Sequence, residues 1–84
     1  GIVICTTGIG VSITANKIHG IRCALLSDLM SARLTRQHND ANMMALGAGV
    51  VGEKLALEMV DLFLTTPFEG GRHARRVDKV MALE

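Results

Sequence analysis

Three short apolar runs, Gly1–Cys5, Ile21–Leu26 and Met43–Leu46, each give way to a turn and then to a segment with helical spacing. No other feature restricts the chain so strongly. A short continuous apolar run rich in β-branched residues reads as a strand buried on both faces, the habit of parallel sheets. Parallel neighbours need a crossover connection, and a helix supplies it.

Turn and cap residues divide the chain further. Thr6–Gly10 is a glycine-containing turn, and Val11–Lys17 suits a short helix that ends near Gly20. Ser27 and Asp28 are good N-cap residues for a helix running to about His38, and Asn39–Asn42 is a polar break. Gly47-Ala48-Gly49 comes directly after the third run. From Val50 to Leu64 the pattern is helical: Ala56, Met59, Val60 and Phe63 recur at three- and four-residue spacing, with Glu53, Lys54, Glu58 and Asp61 elsewhere on its surface. Thr65-Thr66-Pro67 ends that helix. Glu69-Gly70-Gly71 is a tight loop before a last helix, Arg72–Glu84, whose apolar stripe is Val77, Val80 and Met81. This order predicts an α/β domain: a three-layer, Rossmann-like parallel sheet with helices on both faces. Ligands in such folds sit at the carboxyl ends of the strands. The Cys5–Gly10 turn, Ser27-Asp28 and the Gly47–Gly49 loop fall there.

Composition narrows the function classes. A chain of 84 residues is one domain at most, here 1–84, with a modest core. Apolar residues make up 49%, too many for disorder; without Trp or Tyr, the core is built from aliphatic side chains, Met and Ala. A net charge of +1 gives no field that would favour nucleic acid. No apolar run approaches the ~20 residues of a membrane helix, and no charged segment precedes the apolar start as in a signal peptide. Two cysteines, Cys5 and Cys23, do not make a disulfide framework, and a reduced cytoplasmic setting is expected. No Cys/His pair has metal-ligand spacing, which argues against a zinc site. The chain opens on Gly and enters a strand at once, so we read it as the C-terminal portion of a longer domain.

Three clusters carry chemistry. In Cys5-Thr6-Thr7-Gly8-Ile9-Gly10, glycines let several backbone N–H groups converge, and the next helix adds its positive dipole end. Such a turn holds an anion or a developing oxyanion and lowers the pKa of a thiol beside it. Cys5 could then serve as nucleophile or general base, although a small packing residue at an ordinary strand–helix turn has the same spacing. The dinucleotide fingerprint fails, because Ile13 stands where its third glycine belongs. His38 can shuttle protons near neutrality, or simply sit at a helix end with Asn39 as a stop. Arg72 and Arg76 share a helix face and suit a phosphate or carboxylate, or form a solvated basic helix start. Basic residues in a first turn oppose the helix dipole, which favours a partner anion.

Together these segments resemble the family of ribose-5-phosphate isomerase B and galactose-6-phosphate isomerase. The matching stretches are the Cys5–Gly10 turn, Ala15-Asn16-Lys17, Gly20-Ile21-Arg22, Ser31-Ala32-Arg33, Arg36–Asn42, Leu46-Gly47-Ala48 and Glu69–His73, in the family's order. The resemblance implies an aldose–ketose sugar-phosphate isomerase that needs no metal or cofactor and works through a cis-enediolate. It implies Cys5 as the base between C1 and C2, and Thr7 and His38 as helpers in ring opening. The amides of Gly8, Ile9 and Gly10 with Asn39 become the anion hole, and Arg72 and Arg76 the phosphate ligands. Ile9 cannot replace the Glu that some members use as base. Ribose 5-phosphate is the expected substrate; galactose 6-phosphate, allose 6-phosphate and a non-catalytic sugar-phosphate-binding module are the alternatives, ahead of a thiol enzyme with Cys5 as nucleophile.

Two positions depart from the family pattern. Thr6 replaces the usual Gly and would be strained at positive φ. Gly49 replaces an Arg that many ribose-phosphate members carry, which leaves hexose phosphates open. Family members are nearly twice as long, and their N-terminal strand carries an Asp-His pair that contacts substrate. Their sites form between two subunits. A homodimer with interfacial active sites is therefore expected, and these residues alone are expected to be poorly active.

Overall fold

The computed structural model describes residues 1–84 as β1 (Ile2–Cys5), α1 (Ile9–Asn16), β2 (Cys23–Leu25), α2 (Leu29–Asn39), β3 (Met43–Gly47), α3 (Glu53–Thr65) and α4 (Arg72–Met81). The expected α/β order is present. The strands form one parallel sheet in the order β1-β3-β2, with Ile2 opposite Met44 and Cys5 opposite Gly47. Three helix boundaries differ by two residues or more from those expected, the first two for a clear local reason. α1 starts at Ile9 rather than Val11, because Gly8 in the left-handed region (φ 79) turns the chain straight into helix. α3 starts at Glu53 rather than Val50, because the Val50 and Val51 N–H groups turn back to the Gly47 carbonyl at 2.9 and 3.0 Å. α4 ends at Met81 rather than Glu84.

Alternation along the strands sorts side chains to two faces. Met44 and Leu46 point to one face, where they pack with Leu26, Ala32, Met59 and Phe63. Helices α2 and α3 cover that face, and the Met59/Phe63 stripe is buried as its spacing predicted. Val3 and Met43 point to the other face, beside Val11, Ala15 and Ile18 of and just after α1. Adjacent strands β1 and β3 therefore send their helices to opposite faces. Their carboxyl ends form a topological switch point, where such folds open a crevice.

Polar groups fix both ends of α2. Its start is capped by Asp28, whose Oδ1 accepts from the Ser31 N–H at 2.7 Å. That bond holds the Asp28 carboxyl below its usual range. α2 ends at Asp40, the one non-glycine residue with positive φ (46°). Arg36 donates to Asp40 Oδ1 at 2.9 Å and to the Ala41 carbonyl at 2.6 Å, and lies over the Phe63 ring. Arg22 donates to the Asn39 and Asp40 carbonyls at 3.2 and 2.7 Å. α4 packs on α2 rather than on the sheet.

Gly47 controls the upper end of the sheet, where the strands finish. A Cβ there would lie 2.5 Å from the carbonyl carbon and oxygen of Thr7, so any side chain must push the Cys5–Gly10 turn away. At Gly52 a Cβ would meet nothing within 4 Å. Gly47→Ala is expected to cost about 1–3 kcal/mol through overpacking, and Gly52→Ala to stay within about 0.5 kcal/mol. Urea unfolding of the full-length protein checks both; equal effects would deny Gly47 this role.

Candidate active site

Cys5 ends β1 at the switch point, and its surroundings are backbone rather than side chain. The Gly8 N–H donates to Cys5 Sγ at 3.1 Å. The pKa of the thiol is lowered, first by the N–H of Val11 and then by those of Gly8, Thr7 and Gly10, against an opposing effect of burial. Gly8 achieves this by its positive φ; a Cβ there would also fall 2.6 Å from Leu25 Cδ1 and 2.8 Å from the Leu46 backbone. The Ile9 N–H is engaged by Thr7 Oγ1 at 3.2 Å. Of the amides that the resemblance assigns to the anion hole, those of Gly8 and Ile9 thus already have partners in the chain. The Gly10 and Val11 N–H groups, in the first turn of α1, have no carbonyl acceptor.

The two departures from the family pattern lie against each other. Thr6 has no positive φ, so the strain considered for it is absent. The Gly49 N–H donates to the Thr6 carbonyl at 2.8 Å. A Cβ at Gly49 would stand 3.0 Å from that oxygen and 3.2 Å from Thr6 Cγ2. The small residue at 49 makes room for the larger one at 6.

His38, Asn39, Arg72 and Arg76 lie at the other end of the sheet. α2 runs back from the carboxyl end of β2, so its last turn lies beside the amino end of β3. This chain does not bring them to Cys5: the length of β3 separates the two groups, about 13 Å at ~3.3 Å per residue. His38, Asn39 and Arg76 instead line a cavity of about 790 Å³, with Asn16, Lys17, Arg22, Cys23 and His73 among its other walls. Arg72 precedes Arg76 by one turn and is exposed. The chain's ion pairs use Arg22, Arg36, His38 and His73 and leave Arg72 and Arg76 free.

Two residues at this pole received no role from the sequence. The Glu69 N–H donates to the Gln37 carbonyl at 3.1 Å, which fastens the Gly70-Gly71 loop to the end of α2. Glu69 Oε1 then lies 3.8 Å from His38 Nε2 and 3.5 Å from His73 Nε2. The two imidazoles stack at 4.2 Å between centroids, 11° from parallel. His73 is buried and its pKa is lowered, first by burial and then by His38 and Arg72. The four-residue spacing of Glu69 and His73 was visible; the approach of His38 depends on the loop.

The cysteines separate chemically. Cys5 is held down by N–H donors, whereas burial pushes Cys23 up. Alkylation by iodoacetamide, monitored by mass spectrometry across pH, is expected to label Cys5 with a midpoint below the ordinary thiol value and Cys23 with one above it. Coincident profiles would contradict the N–H ring around Cys5.

Known proteins resemble this chain in sequence and fold. The family model described as Ribose/Galactose Isomerase matches residues 1–80. Ribose-5-phosphate isomerase B of Escherichia coli is 52% identical over all 84 residues, which cover 56% of its length. A structure of Clostridium thermocellum ribose-5-phosphate isomerase B superposes with a TM-score of 0.97 at 55% identity, over 99% of this chain and 56% of that one. The Mycoplasma genitalium ribose-5-phosphate isomerase B, solved with bound ribulose-5-phosphate, gives 0.96 at 44% identity, over 99% and 55%. The chain thus spans a little over half the length of these relatives, and no helix in it is long and apolar enough to cross a membrane. With a matching family model over nearly the whole chain, the cysteine turn at the switch point and the His-Asn and Gly-Gly-Arg-His segments at the opposite pole, this chain belongs to the ribose/galactose isomerase family.

Proposed function

We propose that this chain is part of a cofactor-independent aldose–ketose isomerase that interconverts ribose 5-phosphate and ribulose 5-phosphate in a reducing cytoplasm. The observation that carries the reading is the Cys5 thiol held by backbone N–H groups at a switch point. A base of lowered pKa beside N–H donors is what proton transfer next to a carbonyl requires. The Cys5 thiolate takes the proton from C2 of the open-chain aldose, and the electron pair moves onto O1 to give the enediolate. The Gly10 amide, which has no carbonyl acceptor in the chain, and Asn39 stabilise the new oxyanion. The thiol then returns the proton to C1, and a proton passes from O2 to O1. Thr7 and His38 assist ring opening, and Arg72 and Arg76 clamp the phosphate.

The separation of the two poles supports a site shared between subunits of a homodimer. Cys5, Thr7 and the Gly8–Gly10 turn come from one subunit, and His38, Asn39, Arg72 and Arg76 from the other. The ribulose-5-phosphate bound to the Mycoplasma genitalium relative supports a pentose phosphate. Gly49 leaves a smaller side chain beside the turn than the Arg of many ribose-phosphate members, so hexose 6-phosphates belong in the same assay.

Proton NMR in deuterium oxide, with ribose 5-phosphate, allose 6-phosphate and galactose 6-phosphate, tests the reading on the full-length protein. Deuterium is expected at C2 of ribose 5-phosphate, and Cys5→Ala is expected to slow its entry about 10²- to 10⁴-fold. Exchange with a hexose phosphate alone would reassign the substrate. Affinity for the sugar phosphates without exchange at any of them would replace the enzyme by a binding module.

Subunit sharing has its own test. Cys5→Ala and His38→Asn proteins are each expected to be weakly active. Unfolded together and refolded, they should recover about a quarter of wild-type activity, because each mixed dimer regains one intact site of two. No recovery would place both poles of a working site in one subunit.

A further inference from the structure

We propose that His38, Glu69 and His73 form a binding site for a zinc-class divalent metal ion, and that an ion bound there inhibits the enzyme. One ligand atom from each residue lies within 4.8 Å of the other two. Zinc binds imidazole nitrogen and carboxylate oxygen at about 2.0–2.2 Å, so two ligands on one tetrahedral ion stand roughly 3.3–3.4 Å apart. The two nitrogen-to-carboxylate separations here, 3.5 and 3.8 Å, exceed a good hydrogen bond and approach that spacing. Shifts of about half an ångström or less bring both to it. The two rings are stacked 11° from parallel, so a shared ion requires them to tilt towards the carboxylate.

The surroundings suit an ion better than they suit an ordinary ion pair. Neither imidazole of the pair takes part in a side-chain hydrogen bond; Glu69 is their only polar side-chain partner. His73 is backed by the fold, while Glu69 is exposed, which leaves an entry path. His38 and His73 also line the cavity, so a fourth ligand, water or a substrate oxygen, has room. Two His and one carboxylate with an open fourth position is a ligand set that zinc accepts readily, as cobalt and nickel do. The positions are held by backbone: Glu69 N–H on the Gln37 carbonyl, and His73 N–H on the Gly70 carbonyl at 3.0 Å. The inhibition rests on the proposed role of His38, because a metal-bound imidazole cannot carry a proton to the ring oxygen. It also places a dication beside Arg76, at the phosphate-binding pole.

The test uses the full-length protein stripped by a chelator. Cobalt(II) is the spectroscopic probe, and zinc is the ligand in calorimetry. Saturation at one ion per chain is expected, with the visible bands of tetrahedral cobalt. Glu69→Gln and His73→Asn should each weaken zinc by more than the roughly 10- to 100-fold caused by losing an outer-shell partner. Cys5→Ala should leave the site intact, which separates it from metal capture by the thiol. Zinc should inhibit the wild-type isomerase reversibly, while any activity of Glu69→Gln and His73→Asn persists in zinc. No saturable binding, or binding that both variants keep, overturns the metal site. Binding without inhibition of an active isomerase overturns the inhibitory role. Metal binding by a protein with no isomerase activity would sustain the site and sink the functional reading, so the two fail separately.

Discussion

The close approach of two turns, Cys5–Gly8 after β1 and Gly47–Gly49 after β3, is the constraint on which the rest of the structure depends. Cys5 stands opposite Gly47, and the Ala48 and Gly49 N–H groups donate to the Cys5 and Thr6 carbonyls, both at 2.8 Å. The sheet hydrogen bonding thus continues past the strands into the turns. Only the missing side chain of Gly47 lets the Thr7 backbone come so near. With Thr7 seated, left-handed Gly8 turns its N–H onto the Cys5 sulfur and starts α1 on one face of the sheet. β3 meanwhile sends α3 to the other face. One backbone contact therefore fixes the crevice, the direction of both helices and the environment of the thiol. The proton affinity of Cys5 is set by N–H dipoles that cannot move away, rather than by a titratable neighbour.

The opposite pole is organised by charge. Asp40 must be left-handed to end α2 and start the turn into β3, a conformation that a non-glycine residue adopts only with support. Arg22 and Arg36 supply it from two sides, on its carboxylate and on neighbouring carbonyls. Partly exposed ion pairs of this kind contribute ~0–1 kcal/mol each, so their effect here is geometric. They hold the last turn of α2, and with it His38 and Asn39, at the cavity mouth. The bond from Glu69 to Gln37 then brings the α4 entry, with Arg72, to the same place.

The strands were legible because each is a short apolar run closed by a turn residue. The α3 stripe was legible because Ala56, Met59, Val60 and Phe63 keep helical spacing over about two turns. The starts of α1 and α3 were misplaced because glycine conformation and returning N–H groups decide them, and spacing encodes neither. Cys5 was visible as chemistry because glycines beside a thiol at a strand end have a recognisable physical consequence. Val11, whose N–H comes first among the causes that lower its pKa, was not, since any residue at that place in the helix presents the same N–H. The reciprocity of Thr6 and Gly49 needs the register of β1 on β3. The approach of Glu69 and His73 to His38 needs two consecutive positive-φ glycines, Gly70 and Gly71, to reverse the chain. Local patterns reveal local chemistry; clusters assembled by a loop require the loop's path.

The two poles also explain why association belongs to the proposed mechanism rather than to stability alone. A base without a phosphate clamp gives up the advantage of orientation, and a clamp without a base holds substrate to no purpose. Within one chain these halves occupy opposite ends of a parallel sheet. Every strand points the same way, so the turns that leave strands gather at one end and the turns that enter them gather at the other. No loop change of ordinary length repairs that. In the proposed homodimer, pairing about a two-fold axis perpendicular to the strands would, because it would set the upper end of one copy against the lower end of the other and produce two equivalent sites at once. A head-to-tail arrangement could also join unlike poles, but it would leave one of each unused unless it closed into a ring. The proposed closed dimer is therefore the smallest assembly in which every Cys5 would face an Arg72–Arg76 pair.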